Sequence, residues 1–304
     1  METNILLENG TNELEVLEFL VDGQHYGINV AKVREIINYK EVTPVPNAHP
    51  AIEGIFMPRD VMITSINLER VFGKIPTPVK MTDMCIVTNF NKLNIAFHVH
   101  TVLGIHRVSW ADIIKPDSTL NNNNNGLATG VIKVDGRLVI ILDFEKIVTD
   151  ISPETGLKVS EIDALGTRER SELPILIAED SPLLRKLITE SLYKAGYDNV
   201  IVAENGQEAW NKLSSWKEQN IIDQKVSCII TDIEMPLMDG HRLTRLVKSD
   251  DALKHVPLVI FSSLVNDEMR AKGIALGADA QLSKPEIGNL VTTIDGLIKR
   301  KLIC

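Results

Sequence analysis

Two rhythms of apolar residues divide this chain. Up to about residue 150 the apolar runs are short, alternate with polar positions and are punctuated by Gly, Pro, Asn and Asp. The stretches "LEFLVDGQHYGI" (17–28) and "GVIKVDGRLVIILDF" (130–144) each set Val-Asp-Gly between apolar runs, the signature of a two-residue hairpin turn. "DMCIVTNFNKLNIAFHVHTVLGI" (83–105) reads as two more strands around a turn at Asn89–Asn91. "NVAKVREIIN" (29–38) carries Val30, Val33, Ile36 and Ile37 at a spacing that predicts a short helix. "VTPVPNAHP" (42–50) holds too many prolines for a central strand. Many short strands with this punctuation predict barrels or a sandwich. His98 and His100 sit two apart and could suit a metal; with no third ligand nearby in sequence they read better as an ordinary strand face. "NNNNN" at 121–125 reads as a solvated loop.

Beyond about residue 173 the rhythm changes. Short apolar runs, "PILIA", "NVIVA", "VSCIIT", "PLVIFS" and "AQLS", alternate with stretches at helical spacing, giving five βα units. Pro182 suits the first turn of one helix and Gly196 its C-terminal stop. Strands this apolar need cover on both faces, which predicts a parallel five-stranded sheet with helices on each side. Between the halves, Pro153, Gly156, Gly166 and mixed charges mark a linker, with a short helix expected at 158–165. The expected organisation is thus a mostly β domain at 1–152, a linker at 153–172 and an α/β domain at 173–304.

Composition narrows the function. Of 304 residues, 44% are hydrophobic and 24% charged, as in ordinary globular proteins. No apolar run reaches the roughly 20 residues that span a bilayer, and the N-terminus lacks the features of a secretory signal. The three cysteines, Cys85, Cys228 and Cys304, lie far apart, which fits free thiols in a reducing compartment, so a cytoplasmic location is expected. With 32 basic against 41 acidic residues the net charge is −9 and neither half is basic, which argues against nucleic acid as a partner.

The chemistry gathers at the strand ends of the second half. In an open parallel sheet the ligand site lies beyond the carboxyl ends of the strands. There the sequence sets Glu179 and Asp180 after the first strand, and Asp232 of "TDIEMPLMDG" after the third. Ser262 and Ser263 follow the fourth, and Lys284-Pro285 follows the fifth. Three converging carboxylates repel one another unless a hard cation such as Mg²⁺ joins them. A lysine and a hydroxyl at the same edge can hold phosphoryl oxygens, which makes Asp232 a candidate phosphoryl acceptor.

These motifs resemble the response-regulator receiver domain over roughly 173–304. The resemblance implies a flavodoxin-like fold with Asp232 as phosphoacceptor. Mg²⁺ would be held by Glu179, Asp180, Asp232 and the backbone carbonyl of Glu234. Ser262 and Lys284 would bind phosphoryl oxygens, and loss of Lys284 is expected to weaken the response to phosphorylation more than folding. One departure is Gln281, which stands where the family often has an aromatic switch residue.

Only about 20 residues follow the last strand, so the output is expected upstream, where no nucleotide-binding loop, zinc-protease or hydrolase motif occurs. Instead "LEFLVDGQHYGINVAKVREIINYKEVTPVP", "PAIEGIFMPRDVMITSINLERVFG" and "KVDGRLVIILDFEKIV" are similar to the CheW family of chemotaxis coupling proteins, over roughly 12–152. That implies paired SH3-like barrels that join chemoreceptor tips to the chemotaxis histidine kinase. Val33, Glu35 and Arg59 are the implied contacts, while the family's Asn-Leu-Arg-Gly turn appears here as "MPRD". The whole chain resembles CheV-type proteins, a coupling domain followed by a receiver. The reading is an adaptor associated with receptor arrays, regulated by phosphorylation rather than an enzyme. A phosphate sink draining the kinase and an Asp-nucleophile phosphatase remain as alternatives; a transcription factor is disfavoured by charge.

Overall fold

Both Val-Asp-Gly signals turn where expected. Strand β1 (Glu13–Val21) passes into β2 (Gln24–Asn29) with Asp22 at φ 50° and Gly23 at φ 72°. Strand β9 (Ala128–Val134) passes into β10 (Arg137–Leu142) with Asp135 at 47° and Gly136 at 83°. Positive φ at both central residues is the hairpin turn whose twist matches its strands. The computed structural model describes residues 13–90, 93–114, 126–153, 160–166, 168–263 and 267–303, so the asparagine run lies outside it. The chain divides into two compact units, Glu13–Thr155 and a second that includes Gly156–Cys304.

The first unit is two barrels. Its remaining strands are β3 (Val33–Asn38), β4 (Ile52–Phe56), β5 (Ile63–Asn67), β6 (Met84–Phe90), β7 (Leu93–Val99) and β8 (Thr101–Ser109), with helices α1 (Leu68–Val71) and α2 (Phe144–Ile151). One sheet runs β8-β1-β2-β10-β9, the other β3-β6-β7-β5-β4. Each is closed by the chain leaving an edge strand. Past β8, Ile114 exchanges two backbone hydrogen bonds with Val131 of β9, at 2.9 and 2.8 Å. Past β3, Thr43 does the same with Ile55 of β4, at 2.8 and 2.9 Å. All strands of the second barrel thus lie between β2 and β8 of the first.

Side-chain alternation divides the apolar residues among three cores. Leu14, Val16, Ile132, Val134, Val139 and Ile141 fill the first barrel. Phe56, Ile63, Cys85, Val87 and Ala96 fill the second. The largest cluster lies between them, where Leu17, Phe19 and Ile28 meet Ile86, Phe97 and Val99, with Phe144 and Ile147 of α2.

The helix expected over 29–38 is corrected. It is a single 3-10 turn, Val30–Lys32, followed by strand β3 paired with β6. Burial alternates along β3, with Val33, Glu35 and Ile37 half-buried and Arg34, Ile36 and Asn38 exposed. The 3–4 spacing of Val30, Val33, Ile36 and Ile37 imitated a helix, but β-branched residues beside a partner strand settle as sheet. The segment 83–105 also feeds three strands rather than two. Phe90 pairs with Leu93, so Asn89 is still in β6, and β8 leaves for the other barrel.

The second unit follows its predicted rhythm. Strands β11 (Ile175–Ala178), β12 (Val200–Ala203), β13 (Cys228–Thr231), β14 (Leu258–Ser262) and β15 (Ala280–Ser283) form a parallel sheet in the order β12-β11-β13-β14-β15. Its helices are α3 (Ser160–Asp163), α4 (Pro182–Lys194), α5 (Gly206–Glu218), α6 (Ile222–Lys225), α7 (Gly240–Ser249), α8 (Asp267–Ala275) and α9 (Ile287–Ile303). Pro182 opens α4, with the Ser181 hydroxyl accepting from Leu184 N, and Gly196 takes φ 99° just past its end.

Part of the expected linker is built into this unit. Ile162 of α3 is buried with Ile287, Leu290, Val291 and Ile294. Arg168 donates to both carboxylate oxygens of Asp295 at 2.7 Å, and Arg170 pairs with Asp198.

Candidate functional site: a carboxylate–lysine pocket

Strand order reverses between β11 and β13, and in such sheets the crevice at that reversal is the ligand site. Both strands run parallel and in register, Ala178 beside Thr231, so the residues that follow emerge together. Carboxylate oxygens of Glu179, Asp180 and Asp232 all lie within 4.8 Å of one another. Glu179 and Asp232 are buried and Asp180 is exposed. From the end of β15, Lys284 Nζ reaches 2.7 Å from Asp232 Oδ2 and 3.1 Å from Glu179 Oε2, with its side chain only 6% exposed. Burial pushes the Glu179 carboxyl well above the usual carboxylate range; Lys284 pulls it back, while Asp232 and Asp180 push it further up.

The loop after Asp232 is shaped to keep this acid in place. Ile233 N donates to Asp232 Oδ1 at 2.6 Å. A Cβ on Gly240 would lie 1.9 Å from the Asp232 carbonyl oxygen, so the "DG" of the motif is a requirement of close backbone approach. Glu234 lies in this loop, two residues past Asp232.

Ser262 is buried at the end of β14, opposite Ser283, and its carbonyl accepts from Lys284 N at 3.2 Å. The hydroxyl-bearing residue and the lysine are thus neighbours across one strand pair. Gln281 lies on β15 beside Ile260. It is buried, and neither amide atom has a hydrogen-bond partner among the described residues. Gly273 of α8 makes room for it, since a Cβ there would meet Gln281 Oε1 at 2.3 Å.

The donor set fits a hard divalent cation: three carboxylates, two of them buried, and no sulfur or imidazole. Among the described residues this is the one cluster of its kind. His98 and His100 do not form another. His98 bonds Glu53 through Nδ1 at 2.9 Å and Asp83 through Nε2 at 3.2 Å, whereas His100 accepts from Asp22 N and meets Thr77.

The candidate contact residues of the first unit sit on different stretches of one barrel. Val33 is half-buried against the core between the barrels, and Glu35 is half-buried on β3 beside a register shift. Arg59 is exposed between β4 and β5, with φ 50°, and Asp60 follows at 62°.

Two buried acid–base clusters escaped the sequence reading. Glu18 is fully buried yet accepts from Arg137 at 2.9 and 3.0 Å and meets His25 and His106, each at 2.6 Å. The Arg137 guanidinium, with both imidazoles, outweighs burial and holds its carboxyl at about 2. In the second barrel, burial opposes charge on His98, but Glu53 and Asp83 together raise its pKa above the ordinary value. The only hint in sequence was an acid and a histidine within otherwise apolar strands.

Residues 15–152 match the CheW-like domain and residues 175–295 the response regulator receiver domain. The protein is therefore a CheW-like domain followed by a receiver. Chemotaxis protein CheV3 of Helicobacter pylori is 30% identical over 287 residues, covering 90% of this chain and 91% of that protein. CheV2 of the same organism is 29% identical over 297 residues, covering 91% and 92%. Chemotaxis protein CheW of Thermotoga maritima is 30% identical over 153 residues, half of this chain and 98% of that one. The chain belongs to the CheV family of chemotaxis proteins. Among the described residues no helix is long and apolar enough to cross a membrane.

Proposed function

We propose that this protein is a chemotaxis adaptor whose first unit, Glu13–Thr155, couples chemoreceptor tips to the chemotaxis histidine kinase. Phosphorylation of Asp232 in the second unit adjusts that coupling. The observation that carries the reading is Lys284 Nζ at 2.7 Å from Asp232 Oδ2 within a cluster of three carboxylates. A buried lysine shared by two acids is a cation placed where an added oxyanion would need one.

Asp232 Oδ would attack phosphorus of the kinase phosphohistidine. The new O–P bond forms as the P–N bond breaks, and the departing imidazole takes up a proton. Ile233 N holds the other Asp232 oxygen and orients the carboxylate. Lys284 would then exchange its bond to Asp232 for one to a phosphoryl oxygen, and the Ser262 hydroxyl would take another. Glu179, Asp180, Asp232 and the Glu234 carbonyl would hold Mg²⁺, which supplies charge neutralisation for the incoming phosphoryl group. No residue here is asked to turn over a substrate; the acyl phosphate is a signal that water removes.

Arg59 and Glu35 are the proposed contacts to kinase or receptor, with Val33 supporting them from the core side. The proposed location is the cytoplasm, beside receptor arrays. Labelling the full chain with radioactive acetyl phosphate tests the site: label should need a divalent ion and vanish in Asp232→Asn. Undiminished label in that variant overturns the assignment. Affinity for receptor–kinase complexes, with and without beryllofluoride and Mg²⁺, tests the coupling. Equal affinity and equal kinase activity leave the receiver as a drain for phosphoryl groups.

A further inference from the structure

The first described residues of the second unit are pinned along one face of α9. Glu161 Oε2 accepts from the backbone N–H of Gly288, the second residue of α9, at 3.1 Å. Seven residues on, two turns along the same face, Asp295 receives the bidentate Arg168 and also the Tyr197 hydroxyl at 2.5 Å. Between these pins Ile162 is 3% exposed within the core that includes Ile287, Val291 and Ile294, and Leu165 packs against the same cluster. Gly288 is what lets α3 come so near: a Cβ there would meet Glu161 Cβ at 3.1 Å and Oε2 at 3.2 Å.

The upper pin stands four residues from the candidate phosphoryl site. Lys284 follows β15, Glu286 N bonds Ser283 O at 2.9 Å, and Leu290 N bonds Glu286 O at 3.0 Å, so the stretch from Lys284 to α9 is a short bonded turn with little slack. A displacement of Lys284 is therefore passed to Gly288.

We infer that residues 160–166, with Arg168, form a strap that the phosphoryl state of Asp232 releases, so that this protein signals by the length of tether between its units. The inference rests on the proposed role of Asp232 and Lys284. In the resting protein Lys284 is drawn to Asp232 and Glu179. An oxyanion on Asp232 draws it elsewhere, and the turn to Gly288 follows. Motion of Gly288 away from α3 breaks the Glu161 bond and so weakens the hold. Freeing nine residues adds up to about 30 Å of extended chain at roughly 3.3 Å per residue. A longer tether changes the local concentration of one unit at the binding sites of the other.

Hydrogen exchange on the full chain tests this, with beryllofluoride binding followed separately by fluorine NMR. With beryllofluoride and Mg²⁺, amides in 160–166 should exchange at least threefold faster. In Glu161→Ala and Gly288→Ala the segment should exchange fast from the start and show no further change. Linkage requires these variants to bind beryllofluoride more tightly, by the factor that separates strapped from released protein. Bound beryllofluoride with unchanged exchange in 160–166 overturns the strap and leaves the Asp232 site standing. No binding at all, or binding that persists in Asp232→Asn, overturns the site and the strap with it.

Discussion

Lys284 Nζ lies 2.7 Å from Asp232 Oδ2 and holds Glu179 as well, so one cation bridges two buried acids from different strands. The sequence alone suggested that losing this lysine would cost the response more than the fold. The ion pairs add a cost to the fold as well. Lys284→Ala leaves the buried Asp232 carboxylate without its cation, and breaking a buried pair in this way costs about 3–5 kcal/mol. The metal-free variant should show a lower urea midpoint for its second unit, substantially restored by millimolar Mg²⁺. An unchanged midpoint without metal would show that solvent reaches these acids.

The second barrel should weaken in alkali. The folded pKa of His98 is raised, so the stability from its Glu53 and Asp83 bonds is fully present below about pH 6.5. It is lost as pH rises through the raised folded value. Urea midpoints measured from pH 6 to 9 should fall across that range, and His98→Gln should flatten the slope.

Gln281→Met should stabilise the second unit. The change replaces a buried amide without partners by an apolar chain of similar length, and an unmet buried polar group costs about 1–3 kcal/mol. Chemical denaturation should show a gain near the lower end of that range. Label on Asp232 should persist, because Gln281 touches Gly273 rather than the acids.

Asp60→Gly should also stabilise. Asp60 follows Arg59 in the left-handed region, at φ 62°, where a Cβ carries a penalty that glycine lacks. Relief of a left-handed penalty of about 1–2 kcal/mol, less roughly 0.4–1 kcal/mol for the looser unfolded chain that glycine brings, leaves an expected gain of about 0.5–1 kcal/mol in thermal or urea unfolding. A loss instead would mean that the aspartate side chain holds the turn through its own bonds.

How much of this was legible depended on locality. The receiver site could be read directly because each functional residue follows an apolar strand, and parallel order alone brings the strand ends together. Asp232, Glu179 and Lys284 therefore meet as expected. Strand β3 was misread because its partner, β6, begins 46 residues later, at Met84, and periodicity within Val33–Asn38 cannot see it. The Glu18 cluster was illegible for the same reason: His106 is 88 residues away and Arg137 is 119. The charges of Glu161 and Arg168 could be read as a switchable contact, but their partners, Gly288 and Asp295, each lie 127 residues downstream, beyond the reach of local pattern.

The threading of one barrel through the other has a consequence for synthesis. Residues 33–99 can pair among themselves as soon as they leave the ribosome. The hairpin of β1 and β2 emerges first, yet β1 pairs with β8 through Glu13 and Ser109, and β2 with β10 through Tyr26 and Ile140. At about 5–20 residues per second, that hairpin waits roughly 5–20 s with both edges unpaired. During that interval Leu17, Phe19 and Val21 are exposed on the oldest part of the chain. The inner barrel is then the surface available to receive them, and the earliest-made strands of this protein are among the last to find their place.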